Sequence, residues 1–318
     1  MKTAALIVAA GTGKQNKAFG PLNSLGSISV AERIVATFHQ AGIHRIVMVT
    51  GYQAEDLEHQ LSRQGVVFLR NPDYEHTGMY DSVKIGIDFL KDKCDRILFT
   101  PVNIPLFSSE TVKKLCDCSE PLACPFCEGK SGHPILISGE LFDRLLMDSG
   151  ENGLRGALMR CEIKMTDVTV EDTGILINQK TEQNYGELLE RHNANLVRPV
   201  IHVSIAGEKT FFDEKLALLL NLVEQTGSVR TACQRMQISY SGGWNMIRTM
   251  ERHFHRHLIQ RSQGGAGGGR SFLTKEGRLF VQRFQQFEEE LRNQATELFE
   301  SYFNDFFLSK LHETYLCT

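Results

Sequence analysis

An α/β domain with a mainly parallel, Rossmann-like sheet, followed by a winged helix-turn-helix with a long C-terminal helix, is the fold class this sequence predicts. Three observations carry it. From Lys2 to about Asn193, short β-rich apolar runs alternate with amphipathic helical segments, as βαβ units require. Two short helical segments then follow one another, each opened by a serine at Ser228 and Ser239. Last, a glycine-rich tract separates two apolar triplets and leads into a long helical seam. The 318 residues, 42% hydrophobic, supply two cores. The boundaries read as a first domain over 1–195, a linker over 196–210, a second domain over 211–278, and a helix and tail over 279–318.

In the first domain the strands are TAALIVAA, RIVMVT, VVFLR and RILFTPV, with SVAERIVATFHQAG and AEDLEHQLSRQ as helices between them. Sheets of this kind place ligands at the carboxyl ends of their strands. The first such end reads AAGTGKQNKAFGPL. Ala9, Ala10, Gly11, Thr12 and Gly13 are small enough to let backbone N–H groups approach a phosphate, and Lys14 and Lys17 add positive charge. A glycine-rich turn without a ligand is the plain alternative. Gly78, Met79 and Ser82, with Gly132, His133 and Pro134, read as further walls. His133 is either pocket lining or a core histidine satisfied by backbone.

The linker, NANLVRPVIHVSIAGEKT, carries Pro199 and Gly207 between two helical regions. A helix then ends at Gln225-Thr226-Gly227, with the glycine as its stop. Ser228 caps a second helix whose apolar face is Val229, Ala232, Cys233 and Met236. After a turn at Gln237-Ile238, Ser239 caps a third, with Tyr240, Gly243, Trp244, Ile247 and Phe254 expected on the buried side. Its outer side carries Ser241, Gly242, Asn245, Arg248, Thr249 and Arg252. A helix pair with a polar and basic outer face suits reading of the DNA major groove. Leu258-Ile259-Gln260 and Ser271-Phe272-Leu273 are expected to pair as a hairpin, with Arg261 and Arg270 at the base of a glycine tip that can approach phosphates. A flexible loop on an ordinary three-helix domain is the alternative.

GSVRTACQRMQISYSGGWNMI with QRSQGGAGGGRSFLTKEG resembles the N-terminal domain of ModE-type, molybdate-responsive regulators, relatives of the LysR-type winged helix, over roughly Val203 to Phe287. The chain stops at Thr318, so the molybdate-binding domains of that family are not expected. In the first domain LIVAAG, NPDYEHTGMYDSVKIGI, FTPVNIPL, SGHPILIS and GLRGAL come in the order of the MobA-like NTP transferases, which transfer a nucleotide to a pterin phosphate with magnesium. That resemblance implies a nucleotidyltransferase fold. It also exposes departures. The family's loop Arg and Lys correspond to Gln15 and Gly20, its magnesium-binding Asp to Asn103, and a second acidic motif to Asn178, Gln179, Lys180 and Thr181. Magnesium favours anionic oxygens, and phosphoryl transfer depends on metal and cationic clamps. Little or no catalysis is expected, with no confident catalytic residue, no assigned metal, and magnesium only if the domain is active. A nucleotide, CTP or GTP, or a molybdopterin remains as a possible ligand, with Asn103 among the wall residues.

Net charge is −3, yet nine basic residues face two acidic ones between Ser228 and Arg278. That asymmetry fits double-stranded DNA as a partner. No run is apolar enough for a membrane span, and a cytoplasmic protein is expected. Eight cysteines do not form a disulfide framework. Cys116, Cys118, Cys124 and Cys127 have a spacing that suits zinc, but a helix end and a buried strand are expected there, which favours packed thiols. After the wing, Thr274 caps a helix carrying Phe280, Phe284, Phe287, Leu291, Ala295, Leu298 and Tyr302 at spacings of three and four. The seam is either a homodimer interface or a face packed on its own domain. Together these readings give a DNA-binding regulator with a degenerate nucleotidyltransferase domain as sensor; the alternative is an active transferase fused to a DNA-binding module.

Overall fold

The computed structural model describes residues 1–11, 19–62, 64–177, 185–262 and 270–313. Their contacts divide the chain into two compact units, 1–57 with 66–198 and 298–318, and 58–65 with 199–297.

The first unit is built on one mixed sheet. Its strands are β1 (Thr3–Ala9), β2 (Ile46–Thr50), β3 (Val66–Arg70), β4 (Arg96–Pro101), β5 (Leu122–Cys127), β6 (Ile135–Ser138) and β7 (Thr166–Thr169). They lie in the order β7-β5-β6-β4-β1-β2-β3, with a short Lys130–Ser131 strand on β5. The pairings are parallel except those of β6, which runs against both neighbours, and that of the short Lys130–Ser131 strand, which is antiparallel to β5. β1 is central, and its residues from Ala4 to Ala9 are buried without alternation. Both faces of the sheet must therefore be covered, as parallel sheets demand. One cover is α3 (Met79–Leu90), α5 (Phe142–Met147) and α6 (Gly153–Arg160), where Leu6, Val8, Val83, Ile87 and Leu145 share a core. On the other side α1 (Val30–Gln40) packs with α4 (Ser109–Asp117). α2 (Ala54–Gln60) and α7 (Tyr185–Asn195) complete the helices of this part of the chain.

Local sequence sets where these helices start. Ser29 Oγ accepts from the Glu32 amide at 3.2 Å while Glu32 Oε2 accepts from the Ser29 amide at 2.8 Å. That reciprocal box satisfies two donors that the first helical turn leaves open. Further in, Arg33 is fully buried and donates to Leu25 O and to His192 Nδ1, the latter at 3.0 Å. A guanidinium only donates, so Nδ1 is the acceptor and the imidazole proton sits on Nε2, 3.1 Å from Phe107 O. Burial, then the nearby Arg33 charge, lowers the His192 pKa to about 4.

The second unit opens with a small hairpin, β8 (Ser204–Ala206) and β9 (Thr210–Asp213), so the second half of the expected linker is already structured. Val203 and Phe212 are buried in its core, which the Pro and Gly punctuation of the linker does not reveal. α8 (Glu214–Thr226), α9 (Val229–Arg235) and α10 (Tyr240–Phe254) follow. Gly227 closes α8 at φ 66°, Ser228 Oγ accepts from Thr231 N at 3.2 Å, and Ser239 Oγ from Gly242 N at 3.0 Å. A Cβ on Gly243 would lie 2.3 Å from Cys233 Sγ, so α9 and α10 cross at a distance only glycine allows. Leu219, Leu220, Val223, Ala232 and Ile247 form the core, and Met250 completes α10's inner face. Tyr240 does not belong to that face: it is 42% exposed. It stands at the first helical position with the Arg230 guanidinium of α9 5.1 Å from its ring centre.

The wing strands are β10 (Ile259–Arg261) and β11 (Ser271–Leu273), paired Ile259 to Leu273, one residue later than expected on the first strand. Leu258 falls in the core instead, fully buried. α11 (Lys275–Glu313) starts behind Thr274, whose Oγ1 accepts from Gly277 N at 3.0 Å. Its apolar seam is buried at its start and exposed further along. Phe280 and Phe284 stand edge-on to Phe212 at 4.8 and 4.7 Å, inside the core of their own domain. Phe287, Leu298 and Tyr302 are 48%, 57% and 71% exposed.

Candidate functional sites

The carboxyl end of the sheet assembles from three loops. Ala9 pairs with Thr50, and Val102 N donates to Val8 O at 3.0 Å, which seats the Val102–Asn103 corner beside the end of β1. A Cβ on Gly51 would lie 2.4 Å from Ala10 O and 2.7 Å from Tyr74 Cβ, so the loops after β1, β2 and β3 touch there. Ala9 and Ala10 are buried walls and Gly11 is exposed. Thr12, Gly13, Lys14 and Lys17, with Gln15, lie outside the described residues.

Asn71 organises the third loop and was not singled out from the sequence. It is 4% exposed; Nδ2 donates to Thr77 Oγ1 at 2.8 Å and Ser82 Oγ at 3.0 Å, and Oδ1 accepts from Asp73 N at 3.1 Å. The Asn-Pro-Asp triplet, a turn former through its Asn side chain, was the available signal. Gly78 N donates to Asp81 Oδ2 at 2.8 Å, Met79 is 48% exposed, and Ser82, 1% exposed, supports the loop from beneath. On the opposite wall a Cβ on Gly132 would meet Ile175 O at 2.5 Å, and His133 N donates to that same carbonyl at 3.2 Å. The His133 ring stands edge-on to Phe99, and burial lowers its pKa to about 4. A neutral, weakly basic imidazole is poorly matched to proton abstraction near pH 7.

Among the described residues the donor set here does not fit a magnesium ion. Asn103 offers a neutral amide. Asp172 is committed, accepting from Ser108 N at 2.8 Å and Thr111 Oγ1 at 2.6 Å on one oxygen and from Gly174 N at 3.0 Å on the other. Asp73 is 2.7 Å from His76 Nδ1. Among the described residues no three His, Cys, Asp or Glu side chains gather as a metal site. Asn178, Gln179, Lys180 and Thr181 lie outside the described residues. Cys118 caps the end of α4, and the carbonyls of Cys116 and Cys118 accept from Arg96. Cys124 is buried in β5 beside Asp167, and burial lifts its thiol to about 11. Such a group is a packed thiol at neutral pH.

In the second unit, Ser241, Asn245, Arg248 and Arg252 are exposed along α10, with Gly242 and Thr249 half-buried beside them. Ser239 is occupied as the helix cap. The Arg248 guanidinium is 5.9 Å from the Trp244 ring centre, and Arg252 donates to Thr249 Oγ1 at 3.1 Å. Arg261 sits in β10 opposite Ser271, and exposed Arg270 lies over Phe272 at 5.5 Å. Ser271 N donates to Gly227 O at 2.8 Å, tying the wing base to the end of α8. The fold therefore brings one polar and basic stripe outward on α10, next to the wing. It also adds Glu251, His255, Arg256 and His257 to an open cleft at the end of that stripe, residues that sequence reasoning did not select.

Comparison with known proteins separates the same two parts. Residues 5–165 match the family described as MobA-like NTP transferase domain, and residues 215–278 match the bacterial regulatory helix-turn-helix protein, lysR family. The chain is 31% identical over 77 residues to the transcriptional regulator ModE of Yersinia pestis, covering 24% of this chain and 29% of that protein. It is 24% identical over 150 residues to the molybdenum cofactor cytidylyltransferase of Escherichia coli (strain K12), covering 46% and 76% respectively. The chain thus spans under a third of the length of the ModE relative. A nucleotidyl transferase from Methanothermobacter thermautotroptrophicus superposes with a TM-score of 0.51 at 20% identity, over 60% of this chain and 98% of that one, a likeness of fold. No helix among the described residues is long and apolar enough to cross a membrane.

Proposed function

The chain belongs to the MobA-like NTP transferase domain family and carries a LysR-family helix-turn-helix, and we propose that it is a DNA-binding transcription regulator whose first domain senses a ligand rather than transferring nucleotides. The observation that carries this reading is the outward stripe of Asn245, Arg248 and Arg252 on a capped helix following a tightly crossed helix pair. Amide and guanidinium groups on such a helix suit base edges and phosphates in the major groove. One relative is named a molybdenum cofactor cytidylyltransferase, which supports a link to that metabolism, and CTP, GTP or a molybdopterin is proposed as the sensed ligand. α11 would join two protomers, so that two reading helices meet two half-sites.

Absence of turnover follows from chemistry at Asn103. An amide there removes an anionic metal ligand, and backbone cradling of a phosphate does not depend on that metal. Binding can therefore outlast catalysis, as a sensor requires. A working transferase fused to a DNA-binding module is the second reading, favoured by the intact Asn71 scaffold.

The DNA reading is tested by titrating labelled duplex against the protein over a range of salt. The logarithm of affinity should fall steeply with salt, and Arg248→Ala should reduce the slope by about one unit. Affinity indifferent to salt would refute it. The sensor reading is tested by nucleotide transfer to molybdopterin with magnesium, beside thermal shift with CTP, GTP and the pterin. The expected result is a shift without turnover, since each ~4 kcal/mol of lost transition-state stabilisation is about a thousandfold in rate. Turnover at ordinary enzymatic rates would establish the second reading.

A further inference from the structure

Two carboxylates and one guanidinium meet between α11 and the start of α8. On α11, Phe284, Glu288 and Leu291 recur at spacings of four and three, the rhythm of one helix face. Phe284 lies in the core and Leu291 packs against it. Glu288 therefore stands on the inner face, where the pattern asks for an apolar residue. Its side chain is 15% exposed, and those of Arg292 and Glu214 are 13% and 17% exposed. A single nitrogen of Arg292 serves both acids: Nη2 donates to Glu214 Oε1 at 2.7 Å and to Glu288 Oε1 at 3.3 Å.

Counting charges leaves one acid over. Of the described residues, Arg292 and Glu214 bear on Glu288 itself. Two more groups stand beside Glu214. His202, in the segment before β8, has Nδ1 3.6 Å from Glu214 Oε2, with its ring largely in water. Asp213 caps α8, accepting from Leu216 N at 2.9 Å, and adds negative charge on the same side. Glu214 occupies the first helical position of α8, where the positive end of the helix dipole favours an anion. Glu288, in the interior of α11, has no such support, so it is the acid that holds a proton. Burial is the main cause; Arg292 opposes it and Glu214 adds to it, and the Glu288 carboxyl is pushed up to about 7. Once protonated it can donate to Glu214, and one guanidinium then balances one carboxylate.

We propose that Glu214, Glu288 and Arg292 form a proton-operated latch that fastens α11 to the start of α8, closed while Glu288 is protonated and loosened when it ionises. The inference goes beyond the DNA and sensor readings and depends on neither. A fixed ion triad is the ordinary alternative, with both acids ionised near neutral pH and Glu288 needed for its charge. The latch predicts the opposite sign. A carboxyl raised from 4.5 to about 7 on folding contributes fully below the lower value, and that contribution is lost as pH rises through the upper one. Across that interval the release of one proton shifts the opening equilibrium by up to about tenfold per pH unit.

The test is amide hydrogen exchange of the full chain at roughly pH 6 and roughly pH 8, corrected for the intrinsic pH dependence of exchange. The unmodified protein is compared with Glu288→Gln and with Glu290→Gln, a control at an exposed position of the same helix. In the unmodified protein and the control, α11 amides flanking Glu288 should be protected about tenfold less at the higher pH. Gln keeps the shape and the neutral, hydrogen-bonding state. Glu288→Gln should therefore be protected equally at both pH values, at the level the unmodified protein shows at the lower one. Equal protection at both pH values in the unmodified protein overturns the latch, as does an undiminished pH dependence in Glu288→Gln. Protection lost at both pH values in Glu288→Gln shows that Glu288 acts through its charge, and overturns it too. Carboxyl-carbon NMR of the glutamate-labelled, unmodified protein decides without any variant. One glutamate should titrate near neutral pH, far above the ordinary value of about 4.3; a chain in which every glutamate titrates below about pH 6 overturns the proposal.

Discussion

Single residues carry the first domain's response to acid. His192 and His133 both have pKa values lowered to about 4 by burial, His192 also by Arg33. Above roughly pH 6.5 each is neutral in the folded and unfolded chain and contributes nothing. As pH falls through that value the unfolded chain takes up protons that the folded chain refuses, so stability is lost between about pH 6.5 and 4 at up to ~1.4 kcal/mol per pH unit for each group. Thermal melting over this range should show a falling midpoint, and a flat profile would contradict the buried neutral assignment. The caps at Ser29, Ser228 and Ser239 and the stop at Gly227 were legible in the sequence, because each acts within three or four residues of itself. Arg33 was not, since its partner His192 lies 159 residues away. Asn71 was half legible: the turn showed, but its bond to Ser82 depends on where α3 packs.

At the level of elements, α10 and α11 show what periodicity can and cannot tell. Spacing by three and four marks an apolar face and leaves open what covers it. Phe284, 3% exposed, belongs to its own domain's core, whereas Phe287 and Leu298 remain outside it. Phe284 is therefore no part of an interface, and Leu291, beyond Phe287, still packs against the same core. Phe287→Glu with Leu298→Glu should convert a dimer to a monomer, read by light scattering at micromolar concentration, with little change in melting temperature. Phe284→Glu should instead unfold the helix-turn-helix, because a buried unpaired charge costs several kcal/mol. A wild-type monomer at that concentration would contradict the dimer. In α10, Gly243→Ala should lower stability by ~1–3 kcal/mol through overpacking against Cys233, measured by denaturant midpoint; a neutral effect would show that the helix crossing relaxes freely.

For the whole molecule, alternation of strands and helices was enough to predict the mainly parallel sheet, because a buried strand cannot hide its apolar run. The antiparallel β6 was not legible, as strand direction depends on connections that composition does not encode. The helix-turn-helix was legible because its caps, glycines and wing follow in fixed order within about sixty residues. Its terminal cleft was not, since neighbouring histidines of one short run point to different sides. DNA recognition by this chain is tested most directly by selection of bound duplexes from a random pool. One sequence should be enriched, arranged as two related half-sites about a helical turn apart, and that enrichment should be lost in Asn245→Ala with Arg248→Ala. A pool that emerges from repeated rounds without a preferred sequence would contradict it.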